Sequence, residues 1–298
     1  MKIDIEKLPA KTFKLSINVP KEKVNEVRNH VIEEMVKEVE VNGFRKGNAP
    51  RDLAENKLDK KRVGEEVLNH TITEAYNQAV KEHLLKPIAQ PEVSLSNYKE
   101  GEDLSFTATC VERPEINLGD YKAALVQLNG EKKSVQSNPL LGPDGKPIEK
   151  KDGDAEKITI QDVLKVIVTA AKIEISDLLI NEEVNRMLSR LVDQTAKIGI
   201  TIEEYLNSQS KTADSLRVEY RKIAEESLKT EFILYEIAKT ERVEVLDAEI
   251  DRMIEAAPDD KTRAELNSPD GRIYVRSILL KNKTIQKLIE VAEAGLKS

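Results

Sequence analysis

The stretch Thr12-Phe13-Lys14-Leu15-Ser16-Ile17-Asn18-Val19-Pro20 decides how the N-terminal part of the chain folds. Phe13, Leu15, Ile17 and Val19 alternate with Thr12, Lys14, Ser16 and Asn18. An apolar residue at every second position gives a strand one face to bury and one to wet. Pro20 then opens a helix, where its missing N–H leaves no bond unmade. The period changes at once. Val24, Val27, Val31, Met35 and Val39 recur at steps of three and four, one apolar stripe along a helix of about 20 residues. Asn42-Gly43 is expected to end it, because both residues tolerate positive φ.

Working outward, Arg51 to Leu58 reads as a short helix. A second long helix is predicted over Val63 to Leu85, with Leu68, Ile72, Ala75 and Ala79 on one face and Pro87 and Pro91 stopping it. Val93 to Tyr98 and Leu104 to Val111 read as strands about the loop Lys99-Glu100-Gly101-Glu102-Asp103. Leu104, Phe106, Ala108 and Cys110 share one face, so Cys110 is expected in the core. The order strand, helix, helix, strand, strand predicts an α+β domain with helices on one face of a small antiparallel sheet.

The whole chain has 298 residues, enough for two or three domains. Charged residues make up 34% and aromatics 4%, with no Trp, which predicts long, solvent-washed helices with modest cores. A net charge of −7 excludes a strongly basic nucleic-acid module, so any RNA contact must come from a local patch. Cys110 is the single cysteine, and a chain without an internal disulfide fits a reducing cytosol. No apolar run has signal-peptide length or the ~20 residues that cross a bilayer. The expectation is a soluble, cytoplasmic protein with no membrane partner. His30, His70 and His83 all fall in predicted helices with no second ligand at metal spacing. No P-loop, glycine-rich dinucleotide turn, HExxH or Cys–His pair is present. No catalytic residue, metal or cofactor is therefore expected.

Between the two long helices lies Gly43-Phe44-Arg45-Lys46-Gly47-Asn48-Ala49-Pro50. Two readings are open. In one, the glycines make a helix-to-helix turn and Phe44 folds back onto the core. In the other, Phe44 is an exposed apolar anchor and Arg45-Lys46 meet phosphates or acidic side chains. An aromatic beside an arginine is common hot-spot chemistry, and Pro50 stiffens the way out of the loop. The nearby run Lys57-Leu58-Asp59-Lys60-Lys61-Arg62 is either a solvated helix junction or a further phosphate contact.

This octet, set after a strand and a long helix and before a second long helix, resembles the ribosome-docking signature of the trigger factor family of bacterial chaperones. Pro114-Glu115-Ile116-Asn117-Leu118-Gly119-Asp120-Tyr121 resembles that family's exit from its ribosome-binding domain. The resemblance implies a ribosome-binding site formed by Gly43, Phe44, Arg45, Lys46, Gly47 and Pro50. Phe44, Arg45 and Lys46 would touch a protein and RNA of the large subunit at the tunnel exit. Asn48 and Ala49 stand at variable-looking positions of the pattern.

Beyond Tyr121 the composition shifts. Ala123 to Leu128 reads as one strand. Asn129-Gly130, Ser137-Asn138-Pro139, the stretch from Leu141 to Pro147 and Lys151-Asp152-Gly153-Asp154 are then turn and linker signals. Trigger factors typically carry an FKBP-like prolyl isomerase domain here. About 40 residues cannot enclose such a domain, and no Phe lies between Phe106 and Phe232 to line its pocket. The expected organisation is a ribosome-binding domain over 1–118, a linker over 119–158 and a helical chaperone domain over 159–298, with no isomerase site.

In the last part, Gln161 to Ala171 reads as a helix burying Val163, Leu164, Ile167 and Val168. Ser176 is an expected N-cap, Gly199 an expected C-cap, and Thr201 with Glu204 a capping box. One helix stripe carries Ile180, Val184, Met187, Leu191 and Ile198. A long helix over Thr212 to Thr240 carries Leu216, Tyr220, Ile223, Ser227 and Leu234. Asp247 is expected to cap the next helix, and Ser268-Pro269 to open the last, with Ile273, Leu280, Leu288 and Ala292 inward. These stripes serve any helical bundle. The runs Glu182 to Leu188, Gly199 to Leu206, Lys211 to Arg217 and Leu228 to Leu234 also resemble, in order, trigger factor's C-terminal domain with its projecting arms.

The leading reading is an ATP-independent chaperone that docks at the exit tunnel and holds nascent or unfolded polypeptides, aiding folding and export. Its substrate-binding residues are not legible, and homodimerisation away from the ribosome stays open. The alternatives are an adaptor or assembly protein that binds a folded partner, and a minimal prolyl isomerase.

Overall fold

The structure, a computed structural model, describes residues 1–42, 44, 45, 48, 50–97, 99, 101–128 and 158–294. The chain divides into two compact units, Met1–Arg113 with Ser176–Glu182 and Pro114–Ile175 with Glu183–Ser298.

The first unit is the expected α+β layer. Strands β1 (Lys2–Leu8), β2 (Thr12–Val19), β3 (Glu92–Asn97) and β4 (Leu104–Val111) form an antiparallel sheet in the order β1-β2-β4-β3. Helices α1 (Lys21–Glu38) and α3 (Lys60–Glu82) cover it, with the short α2 (Arg51–Glu55) between them in sequence. Leu15 lies opposite Ala108 and Ile17 opposite Phe106, all four buried, so the two central strands carry the core face. Val24, Val31, Val63, Val67, Ala75 and Ala79 close over it from the helices. Cys110 is buried as expected, and burial pushes its thiol above the usual range.

Three details differ from the sequence reading. β1 was not anticipated, because Ile3 and Ile5 alternate over only a short, charged stretch. Its turn into β2 holds Ala10 at φ 53° and Lys11 at φ 55°, positions that Asn-Gly would have advertised. Helix α1 stops at Glu38, and Val39 is extended at φ −75°, ψ 138°. Acidic Glu38 and Glu40 oppose the negative helix end, and β-branched Val39 and Val41 favour extended backbone. Helix α3 starts early, because the Asp59 carboxylate accepts from the Lys61 N–H at 2.9 Å, and it ends before Leu84, which takes φ 53°.

In the second unit, β5 (Ile116–Asn117) pairs with β6 (Lys172–Ile173) in a two-residue ladder. Residues 121–128 are helical (α4), where a strand was expected over Ala123 to Leu128. The Asp120 carboxylate accepts from the Ala123 N–H at 3.0 Å, which starts the helix, and Tyr121 and Leu125 one turn apart reach the core. The linker signals over 129–157 lie outside the described residues.

Then follow α5 (Ile160–Ala170), α6 (Asp177–Lys197), whose start through Glu182 belongs to the first unit, α7 (Ile202–Ser208), α8 (Ala213–Thr240), α9 (Asp247–Glu255), α10 (Asp260–Leu266) and α11 (Pro269–Ala294). Thr201 and Glu204 form the expected capping box, and Gly199 ends α6 at φ 77°. Ser176 accepts from the Leu178 N–H at 3.3 Å. Asp247 is the first helical residue of α9 rather than its cap, and the Glu249 carboxylate bonds the Leu246 N–H at 2.8 Å instead. The short α10 escaped the sequence reading, and Asp259 caps it through the Thr262 N–H at 2.8 Å.

Apolar side chains gather in separate clusters here. Val163, Ile167, Ile233, Ile237 and Leu288 join Tyr121 and Leu125, while Ile250, Ile254 and Val275 form another. Cations of α11 tie helix ends together. Lys287 Nζ reaches the Glu241 carbonyl at 2.9 Å, Lys283 Nζ the Glu244 carbonyl at 2.8 Å, and Arg276 the Asp247 carboxylate at 2.6 Å.

Candidate functional site

The loop between α1 and α2 is held at both ends by ordinary backbone chemistry. After Val39 leaves the helix, the Phe44 N–H donates to the Val41 carbonyl at 3.0 Å, a tight turn. The Asn48 N–H donates to the Arg45 carbonyl at 2.9 Å. Pro50 then starts α2, its carbonyl accepting from Leu53 and Ala54 at 3.0 and 3.1 Å. Ala54 is fully buried and fastens α2 to its neighbours, and Arg51 bonds Glu33 of α1 at 3.2 Å. Between these anchors Phe44 is 45% exposed and Arg45 and Pro50 are exposed. Phe44 does not belong to the core cluster. Gly43, Lys46 and Gly47, the other expected site residues, lie outside the described residues.

Around the loop, Lys57, Lys60, Lys61 and Arg62 are exposed at the α2–α3 junction. Beneath them α1, α2 and α3 enclose a recess of about 420 Å³ with Ile32, Leu58, Val63 and Val67 on its floor and Asp52 and Lys60 among its rim. Gly64 also lines it, and a Cβ there would meet no atom within 4 Å. A glycine inside a helix costs about 1 kcal/mol against alanine, and no neighbour's packing requires this one. His30, His70 and His83 are exposed. Among the described residues no group of three His, Cys, Asp or Glu side chains is gathered as for a metal ion, and no helix is long and apolar enough to cross a membrane.

The helical unit supplies residues that periodicity misassigned. Ile198 is 72% exposed and Ile273 is 67% exposed, and Ile223 is exposed as well. Ile198 lies past the end of α6, so the stripe of Ile180, Val184 and Leu191 does not extend to it. On α11 the buried stripe runs through Val275, Ile285, Leu288 and Ala292, and Ile273 sits two residues, about 200° of helix, from Val275. Val218, Leu246 and Tyr274 are also exposed. The signal that would have found them was the true helix end, or the competing stripe.

Two family descriptions match this chain. "Bacterial trigger factor protein (TF)" matches residues 1–139, and "Bacterial trigger factor protein (TF) C-terminus" matches residues 147–290. Only residues 140–146 separate the matches, so no segment of isomerase-domain size lies between them. Curated trigger factors from Staphylococcus aureus strains JH9, Newman and N315 are each 33% identical over 147 residues, 48% of this chain. The matched stretch is 34% of each relative's length, so the chain spans about a third of those proteins. A solved structure described as "Promiscuous Substrate Recognition in Folding and Assembly Activities of the Trigger Factor Chaperone" superposes with a TM-score of 0.60. That similarity covers 97% of this chain and 99% of the other at 14% identity, and it shows a shared fold.

Proposed function

Because the chain belongs to the trigger factor family, we propose that it is an ATP-independent chaperone that docks at the ribosomal exit tunnel and holds emerging or unfolded polypeptides in the cytoplasm. The observation that carries this reading is the exposure of Phe44 beside Arg45 on a loop pinned at both ends. A free aromatic with a neighbouring cation suits a partner that offers both an apolar hollow and negative charge, as ribosomal protein and RNA do together. Gly43, Lys46, Gly47 and Pro50 complete the proposed docking site. In this reading residues 1–118 dock, 119–158 connect and 159–298 hold. Docking raises the effective concentration of client near a holding surface whose intrinsic affinity is weak. Exposed Ile198, Val218, Ile273 and Tyr274 supply dispersed apolar contacts of the kind weak, promiscuous holding needs. They also favour holding over an adaptor role confined to the loop. With no room between the family matches for an isomerase domain, prolyl isomerase activity is not part of the proposal. A protease-coupled proline assay with turnover like that of a dedicated isomerase overturns that part.

Phe44→Ala combined with Arg45→Ala and Lys46→Ala is expected to abolish co-sedimentation with ribosomes at moderate salt, while suppression of aggregation of a denatured protein persists. Undiminished sedimentation refutes the docking site. Absence of suppression in the unmutated protein refutes the holding role.

A further inference from the structure

The sheet of the first unit has two edges, and they are built differently. Strand β1 carries Lys2, Asp4, Glu6 and Lys7, so charges stand along it. Such charges commonly stop a sheet edge from pairing with another chain. Strand β3, Glu92-Val93-Ser94-Leu95-Ser96-Asn97, has no lysine and no proline, and its one charge is at its first residue. Residues 92–96 are all exposed. Among the described residues, β3 pairs with β4 on one side and takes no other strand.

Its apolar residues sharpen the contrast. Val93 lies opposite Ala108 and Leu95 opposite Phe106. Directly opposite residues share a face, and Ala108 and Phe106 are fully buried. Val93 and Leu95 therefore stand on the core face of the sheet, yet they are 38% and 48% exposed. The helical layer stops short of this strand. What remains is a row of backbone groups without a strand partner beside two apolar side chains at a spacing of two.

We propose that β3 binds an extended segment of client polypeptide by strand addition, a site that rests on the holding role proposed above and gives it a substrate conformation. The chemistry selects the occupant. Free strand-edge groups pair with an extended backbone, and a helix has none to offer. Side chains alternating at period two meet Val93 and Leu95 on one face. Glu92 at the start of β3 and Glu102 and Asp103 beyond its end are exposed acids against the one lysine Lys99, with Asp103 also accepting from the Lys21 N–H at 2.9 Å. That frame favours an apolar segment flanked by basic residues. The register shift between Leu95 and Asn97 ends the regular ladder, so only a short stretch pairs and release stays easy. Backbone pairing is indifferent to side-chain identity, as a holder of many sequences requires.

The test uses the full chain and a fluorescent peptide of about seven residues, alternating valine and threonine with a lysine at each end. Binding to the unmutated protein is expected to shift the amide resonances of residues 92–96 and to weaken about tenfold in Leu95→Lys. The same peptide N-methylated at alternate residues keeps its side chains and is expected to lose binding to the unmutated protein. Equal binding of both peptides, or shifts confined to α8 and α11, overturns strand addition while leaving the holding role intact. A concentration-dependent dimer that Leu95→Lys abolishes, with no peptide bound, assigns the edge to a second copy of the chain and likewise overturns it. Failure to suppress aggregation would instead remove the holding role, a result read in a separate assay.

Discussion

The two units bury their apolar residues in opposite ways. In the first, one continuous cluster runs across the sheet from Phe13 to Cys110 and up into α1 and α3, and the exposed Phe44 stands apart from it. In the second, clusters around Ile233 and around Ile250 are separate, and helix ends are held by lysines and arginines of α11. Large side chains such as Ile198 and Ile273 are left outside. A sheet core displays a short loop in a fixed place. Long helices with small cores leave Ile198, Val218 and Ile273 in water, and the sheet unit leaves Leu84, Val93 and Leu95 at its margins. In the proposed reading docking draws on the first arrangement, and holding on the second together with the β3 edge.

The comparison breaks most visibly at Phe106, the largest fully buried side chain of the first unit. Phe106→Ala removes the ring opposite Ile17 in the β2–β4 pair and leaves a cavity among buried residues. Such substitutions cost about 3–5 kcal/mol, a large share of the stability of an ordinary domain. Denaturant unfolding should show that loss. The proposed ribosome binding should fall with it, because α1 packs on the same core and holds α2 through Arg51 and Glu33. A loss below about 1 kcal/mol would mean that the sheet core is not what holds the loop.

The second unit depends on a charged knot where the first depends on packing. The Glu241 carboxylate receives Lys122 Nζ at 2.7 Å, the Tyr121 hydroxyl at 2.7 Å and Lys287 Nζ at 3.2 Å, joining the start of α4, the end of α8 and α11. The Lys122 bond first, then that of Tyr121, lowers its pKa from 4.5 to about 2. Its side chain is 17% exposed, so solvent screens the knot only in part. A depressed folded pKa gives stability that is fully present above the unfolded value and lost as pH falls through the folded one. The knot should therefore contribute roughly 2 kcal/mol at neutral pH, fading from about pH 4.5 to pH 2. Glu241→Gln is expected to lower stability at pH 7 and to match the unmutated protein near pH 2. A difference that stays constant with pH would show that the carboxylate's charge is not what matters.

How much of this was legible follows the same division. Strand β2, strand β4 and the stripes of α1 and α3 were readable because one buried face imposes a strict period on Phe13 to Val19 and on Leu104 to Cys110. The α+β class and the helical second part followed from that. Strand β1 and the end of α3 were hidden because Ala10, Lys11 and Leu84 take conformations usually left to glycine or asparagine. The helix over 121–128 was read as a strand because its two core residues, Tyr121 and Leu125, give too short a pattern to set a period. The loop proposed to dock stood out by composition, since an aromatic among cations needs no periodicity to be noticed. The exposed Ile198 and Ile273 did not, because an isoleucine that faces water and one that faces a core are the same letter. Only the helix end at Lys197 and the register of Val275 separate them.

The smallest effect comes from exchanging the two kinds of helix ending. Leu84 follows α3 at φ 53° with its side chain 84% exposed, and the Leu85 N–H closes the end on the Val80 carbonyl at 3.0 Å. Gly199 follows α6 at φ 77° with open space where a Cβ would sit. The left-handed conformation costs an L-residue roughly 1–2 kcal/mol, while glycine gives part of that back through the greater freedom of its unfolded chain. Leu84→Gly should thus stabilise the first unit by about 0.5–1 kcal/mol, since little packing is lost from so exposed a leucine. Gly199→Ala should destabilise the second by a similar amount, through backbone strain alone. Thermal midpoints moving by a few degrees in opposite directions would show that both ends obey one backbone rule. A loss on Leu84→Gly would mean that this leucine rests against something in the folded protein, and would move it from the strained turns to the apolar surface.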